Sequence, residues 1–308
     1  MALSIAQLDA ITQNVIVKKL YDNIFDTTPL LSKIMASGSY KSQNGGTQIE
    51  IPLAYAKGTG GWYTGADTLS TDDVDQMSAA KYTWTNLYAA ITLLEEDLMK
   101  NSGNAAQLSL LASKSEIARK TLKDDLATGL YSDGTDTKSI VGLRDIVATD
   151  QTVGNISQTT NSFWQAQVDS TTTTMTLSAL NAVYQDCDLN GESPDIVVAT
   201  KANYNRYYNL LQPQQRFMDT SSSTAKGGFS TLMFNGKPFI SDVYVPTDHV
   251  FMLNLNHLHL FYHPERNISA TDWIKPTDME LKTSRILWMG SFGSSNNRNH
   301  GKLSALAA

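Results

Sequence analysis

Residues Asn104 to Tyr131 form the longest helix-periodic stretch of the chain, and their pattern restricts what the rest can fold into. Leu108, Leu111, Ser115, Ala118, Leu122, Leu126 and Leu130 recur at steps of three or four, which gathers them on one side of a helix. The other side is charged, with Glu116 and Lys120 one turn apart and Lys120 and Asp124 likewise. Ser102 or Asn104 offers a cap for the first turn, and Ser132-Asp133-Gly134 supplies a stop. At ~1.5 Å per residue this makes a rod of roughly 40 Å. Its apolar stripe is narrow, which suits a beam beneath a thin layer and also an ordinary long core helix.

A chain of 308 residues has room for one large core or two smaller ones. Hydrophobic residues at 41% argue for an ordered chain, with Ser, Thr and Asn taking polar positions that charged residues, at 18%, leave open. The net charge of −6 provides no basic field to condense on nucleic acid, so sequence-specific DNA binding is not expected. The single cysteine, Cys187, excludes an internal disulfide framework and a multi-cysteine metal site. Near Tyr184 and Leu189 it reads as a small buried hydrophobe, and a reducing cytoplasm fits. The N-terminus lacks a basic segment followed by an apolar run, and no window approaches the ~20 apolar residues that span a bilayer, so neither export nor membrane insertion is expected.

Before the long helix, Ile5 to Val17 reads as a short helix, and Leu30, Leu31, Ile34 and Met35 are too few for a core of their own. From Thr47 the period becomes two: Ile49, Ile51 and Leu53 alternate with polar residues and Pro52, as in an edge strand. Lys81 to Leu93 alternates again as one strand, with Tyr82, Trp84 and Tyr88 on one face and Leu87, Ala89, Ile91 and Leu93 on the other. Between these strands lie about 25 residues rich in Gly, Thr and Asp, far beyond a hairpin's usual two to five. Trp62 and Tyr63 in this loop either pack back on the strands or anchor the arm to another subunit.

After the helix comes Gly142-Leu143, then polar sequence to Thr174 that reads as a boundary. Thr176 or Ser178 caps a helix carrying Leu180, Val183, Tyr184 and Cys187, which Gly191 ends. Ile196 to Ala199 is a buried strand, and Thr200 caps a helix with Tyr204, Tyr207 and Leu211. Phe229 to Phe234 and Lys237 to Ile240 flank Asn235-Gly236, a strong hairpin signal. Val250 to Leu255 and Leu258 to Tyr262 are expected in the same mixed sheet, and Glu280 to Phe292 is one long extended segment.

Chemistry is thinly signalled. His257, His259 and His263 are the best metal-like group, since strand alternation puts the first two on one side, but no carboxylate joins them at a known spacing, and strand histidines are the simpler reading. Gly290-Ser291-Phe292-Gly293 lacks the spacing of a nucleophile turn and reads as a strand bend. Asp133-Gly134-Thr135-Asp136 is a turn without the length of a calcium loop. Glu95-Glu96-Asp97 could host acid and base chemistry if buried, yet stands where acids suit the first turn of a short helix. No catalytic, cofactor or metal residue is assigned, and the chain is not expected to be an enzyme.

The order of parts resembles the major capsid protein of tailed bacteriophages, in the Hong Kong ninety-seven type of fold. The resemblance rests on the hairpin Thr47 to Leu93, the helix Asn104 to Tyr131, Gly142-Leu143, Pro194-Asp195-Ile196-Val197-Val198 followed by Tyr204, the Phe234-Asn235-Gly236-Lys237-Pro238 turn with Asp242 and Pro246, and the ending Asn297 to Leu303. It implies an α+β chain with an N-terminal arm (1–45), an extended E-loop hairpin (46–94), a peripheral domain with the spine helix (95–145 and 263–308) and a mixed α/β axial domain (146–262). It further implies hexamers and pentamers tiling an icosahedral shell around double-stranded phage DNA, contacted non-specifically, in a virion assembled in the host cytoplasm without a membrane. A portal and, because the chain begins almost directly with the arm, a separate scaffolding protein are expected as partners, with a decoration protein as a further candidate.

The contacts expected between copies are Leu30, Leu31, Ile49, Ile51, Trp62 and Trp84. Some relatives cross-link Lys to Asn; Lys57 lies where such a lysine would be, with Asn296, Asn297 and Asn299 near the end, a match of position only. An encapsulin-type compartment shares the fold and is the close alternative, and a hydrolase using Glu95 to Asp97 is the alternative from another class.

Overall fold

The computed structural model describes residues 28–100, 104–211 and 232–307. The expected helix Ile5 to Val17, the cap Ser102 and the strand start at Phe229 lie outside them.

Helix α1 (Pro29–Ala36) opens with a proline in its first turn, where no backbone N–H is required, and buries Leu30, Leu31 and Ile34. Strand β1 (Tyr40–Ser42) precedes a two-stranded antiparallel ribbon of β2 (Gln48–Ala54) and β3 (Met77–Thr83), in register from Gln48↔Thr83 to Ala54↔Met77. Pro52 is accommodated because both ribbon strands are edges. Then come β4 (Thr85–Leu94), α2 (Glu95–Lys100), the long helix α3 (Asn104–Leu130) and the one-turn α4 (Leu143–Ile146). A small β5 (Thr152–Val153) and β6 (Ile156–Ser157) hairpin and β7 (Gln167–Asp169) lead into α5 (Leu177–Cys187), β8 (Ile196–Ala199) and α6 (Lys201–Leu211). The chain closes with β9 (Leu232–Phe234), β10 (Lys237–Ser241), β11 (Val250–Leu253), β12 (Leu258–Ala270), β13 (Leu281–Ser294) and β14 (Gly301–Leu303).

Two sheets organise these elements. The first has the order β1-β12-β13-β4 and carries α3 along β4. The helix seats Leu111, Ser115, Ala118, Leu122, Leu126 and Leu130, all buried, while Glu116, Lys120 and Asp124 stay exposed, as the sequence stripe predicts. Ser115 is tolerated in the stripe because its hydroxyl donates to the Leu111 carbonyl at 2.8 Å.

The second sheet is mixed, in the order β7-β14-β11-β8-β10-β9, and is covered on both faces. Ile196, Val198, Phe251 and Leu253 face the core shared with α3, whereas Val197, Ala199, Val250 and Met252 face the core shared with α5 and α6. That double burial is why β8 and β11 read as unbroken apolar runs rather than alternations. Thr176 and Thr200 cap their helices by accepting the Ala179 and Asn203 N–H groups, and Asn235 and Gly236 take the left-handed conformations that their two-residue hairpin needs.

Three sequence expectations are corrected. Lys81 to Leu93 is two strands: β3 pairs with β2, the chain breaks at Trp84, and β4 joins β13. The break carries no Gly or Pro; it is held by the Trp84 indole N–H donating to the Gly46 carbonyl at 2.9 Å. Second, β11 and β12 belong to different sheets, separated by a 3-10 turn at Leu255–His257 whose preceding Asn254 side chain accepts the Asn256 N–H at 3.0 Å. Third, the expected domain limits shift: the 262/263 boundary falls inside β12, and the terminal strand β14 lies in the second sheet between β7 and β11 rather than with the first.

The joint between the sheets is polar and buried. His300 accepts the Asn254 N–H on Nδ1 at 3.2 Å and contacts the Ser294 hydroxyl through Nε2 at 3.3 Å, tying the β11–β12 crossing to the β13–β14 crossing. Burial and the neighbouring His257 and His259 push its pKa down from 6.5 to about 3. The folded state therefore holds His300 neutral where the unfolded chain takes up a proton, so its stabilisation is full above pH 6.5 and is lost as pH falls towards 3. Urea midpoints are expected to drop between pH 7 and pH 4, and less steeply in His300→Gln than in the parent; equal slopes would remove this assignment.

Candidate assembly surface

The β2–β3 ribbon belongs to neither large sheet and ends in a long exposed loop, yet its base is firmly seated. Tyr82, almost fully buried, places its ring over Gly293, where a Cβ would meet ring carbons at 2.6 Å. Its hydroxyl donates to the Ser294 carbonyl at 2.9 Å and accepts the Ser294 N–H at 3.0 Å. Gly293 is thus a close-approach glycine, not the expected bend. On the other side, the Lys81 N–H donates to Gly154 at 2.9 Å, in the β5–β6 turn, where a Cβ would strike Ala80 at 2.8 Å. Tyr82→Phe removes both bonds from a dry site, and a loss of roughly 1–3 kcal/mol in unfolding free energy is expected by urea denaturation.

Beyond the last rung, where Tyr55 N–H donates to Gln76 at 3.0 Å, contact with the body ends at the stack of Tyr55 on Phe163. Every residue from Lys57 to Asp75 is exposed. Trp62 is 105% exposed and Tyr63 67%, so neither packs back on the strands. The loop braces itself only locally: Thr59 donates to the Asp72 carbonyl at 2.8 Å, and Asp67 accepts the Thr64 N–H at 2.8 Å. A fully exposed tryptophan beyond the end of a paired ribbon is a surface that this fold leaves unburied.

The other expected contacts fall elsewhere. Leu30, Leu31, Ile49 and Ile51 are buried in the chain's own core, so they hold the arm and ribbon to this subunit and leave no free surface for a neighbour. The alternation of Ile49 and Ile51 marks a buried face without saying what buries it. Trp84 is half-buried, bonded to Gly46 and set edge-on to His263. Lys57 stands in the exposed loop. The asparagines meant to face it are occupied: Asn297 donates to the Trp164 carbonyl at 3.1 Å, Asn299 donates to three carbonyls between Cys187 and Glu192, and Asn296 donates to Asn299. They form a knot inside the subunit.

The chemistry candidates resolve into structure. His257 leaves the strand, in the 3-10 turn, and bridges Ser295 and Glu192, with Nε2 at 2.5 Å from the carboxylate. His259 lies in β12, and no group of three metal-ligating residues occurs among the described residues. Glu95 pairs with Lys275 at 2.8 Å, which holds its carboxyl below the usual range, and Glu96 pairs with Lys100 at 2.6 Å. Paired with lysines at a helix start, they act as first-turn acids. Sequence reasoning gave His300 and Asn299 no structural role, because the bonds that tie them to the rest of the subunit, to Asn254 and to the Cys187, Leu189 and Glu192 carbonyls, span 46 residues or more.

No family model matches the sequence, and no curated protein matches it. The fold, by contrast, is shared with solved shells. The cyanophage A-1(L) capsid subunit superposes with a TM-score of 0.67 at 14% identity, covering 86% of this chain and 90% of that one. A subunit of the capsid of a native GTA particle gives 0.62 at 13% identity over 89% and 90%. The holo encapsulin complex of Synechococcus elongatus gives 0.58 at 12% identity over 87% and 84%. The chain has the fold of phage capsid proteins, and at these identities the likeness is one of fold alone.

Proposed function

We propose that this chain is the major capsid protein of a tailed-phage type particle, a structural subunit forming the pentamers and hexamers of an icosahedral shell around double-stranded DNA. The observation that carries this reading is the β2–β3 ribbon, anchored by Tyr82 at its base and presenting an unburied Trp62 at its end, on a fold used by capsid subunits. Burying one such indole against a neighbour is worth roughly 2–3 kcal/mol. A loop free of its own body adapts to the non-identical positions of a closed shell better than one rigid patch does. In this reading the charged face of α3 lines the interior, and the mildly acidic chain avoids gripping packaged phosphates. A scaffolding protein, a portal and a decoration protein are the partners it calls for, and the particle assembles in the host cytoplasm.

Expression alone and with a scaffolding protein, followed by negative-stain microscopy, tests this. Closed shells are expected, and particles made with the portal and a packaging genome present are expected to hold nuclease-resistant DNA. A persistent monomer in both conditions refutes it, and shells holding protein cargo without nucleic acid assign the chain to the encapsulin type instead.

A further inference from the structure

The face of the first sheet turned away from α3 carries two arginines that form no ion pair among the described residues. Arg285 stands opposite Ala90 and, two residues on, Leu287 stands opposite Tyr88, so Arg285, Leu287 and Tyr88 share this face. In β12 the register slips between Tyr262 and Asn267 and again before Ser269, with Ile268 at φ 57, and Arg266 lies in this bulge. Arg266 and Arg285 both line one cavity of about 320 Å³, together with Asn86, Tyr88 and Leu287. The arginine ion pairs formed among the described residues use Arg119 and Arg144, not these two. An isoleucine in a left-handed conformation is costly, and here the cost leaves an exposed cation beside a second one.

The complementary charge lies on the loop. Residues 55–76 contain one lysine and four aspartates, a net of −3, and Asp72 and Asp73 have no ion-pair partner among the described residues. They sit in the wholly exposed part of the ribbon, which leads away from its own sheet.

We infer that the Arg266–Arg285 cavity is the receiving site for Asp72 and Asp73 of a second copy of this chain. The inference rests on the shell reading above and names the surface that the loop meets. Each guanidinium offers a planar fork that takes a carboxylate through two parallel N–H bonds, which fixes register as well as charge. The aromatic floor of Tyr88 and the Trp62 of the incoming loop shield these pairs from water, where they are stronger than at an open surface.

Charge exchange tests this. R266E/R285E and D72R/D73R are each expected to remain soluble with parental circular dichroism and to lower shell yield at least tenfold, while the chain carrying all four changes recovers at least half of it. Recovery distinguishes a pairing from simple misfolding. Parental yield from either double variant overturns the inference, as does failure of the four-change chain to recover when both doubles are folded and inactive. If the parent chain forms no shells, the shell reading itself has failed.

Discussion

Replacing residues 56–75 by Asn-Gly is expected to leave a folded, soluble subunit that forms no shells. The cut keeps the rung between Tyr55 and Gln76 and closes it with the two-residue turn that strand twist favours. It removes Trp62, Asp72 and Asp73 together, and no bond between residues 57–74 and the body of the subunit is lost. Shortening the loop lowers its closure entropy, so unfolding free energy should stay within about 1 kcal/mol of the parent. Assembly has no such tolerance: every copy loses the aromatic and acidic contact it gives to a neighbour, and shell yield is expected to fall by a factor on the order of 100 or more. Urea denaturation reads the first result, sedimentation and microscopy the second. Normal shells from the shortened chain would remove the loop from the assembly surface.

The second large effect is expected at Gly142. A Cβ there would lie 2.1 Å from the carbonyl oxygen of Ser132 and 2.5 Å from its nitrogen, and both are backbone atoms. Neither chain is free to yield. Ser132 N–H closes the end of α3 on Gly129 at 3.1 Å, while the Gly142 carbonyl accepts the N–H groups of Asp145 and Ile146 at the start of α4. Gly142→Ala should therefore cost more than about 4 kcal/mol, in the range reserved for special backbone positions, and appear as loss of soluble protein. Gly60→Ala is the control: nothing stands within 4 Å of its Cβ, and no change is expected. Soluble Gly142→Ala protein with parental stability would show that the crossing relaxes.

The long helix was legible because its stripe repeats locally, and Leu111, Ala118, Leu122 and Leu126 are buried where the spacing puts them. The Asn235-Gly236 hairpin and the Thr200 cap were legible for the same reason, since each depends on residues within four positions, while the choice of Thr176 over Ser178 as the other cap was made by the structure. The break at Trp84 was not, because it depends on a bond to Gly46, 38 residues earlier. The separation of β11 from β12 depends on His300, and the place of β14 depends on Gln167, both far along the chain. The histidines illustrate the same limit: alternation placed His257 on a strand, but Asn254 and Glu192 hold it in a turn.

By itself, the sequence determined which segments are helical or extended, which face of each is apolar, and that a long Gly- and Asp-rich loop interrupts the first hairpin. Periodicity settles these because a side chain's direction follows from its backbone over a few residues. Only the tertiary structure decided what each apolar face meets. Ile49 and Leu30 looked as available to a neighbour as Trp62, and burial in one chain or between two leaves the same pattern in a sequence. The first core encloses Leu30 and Ile49 and leaves the tryptophan outside, and the bulged pairing of β12 with β13 brings Arg266 and Arg285 to one cavity.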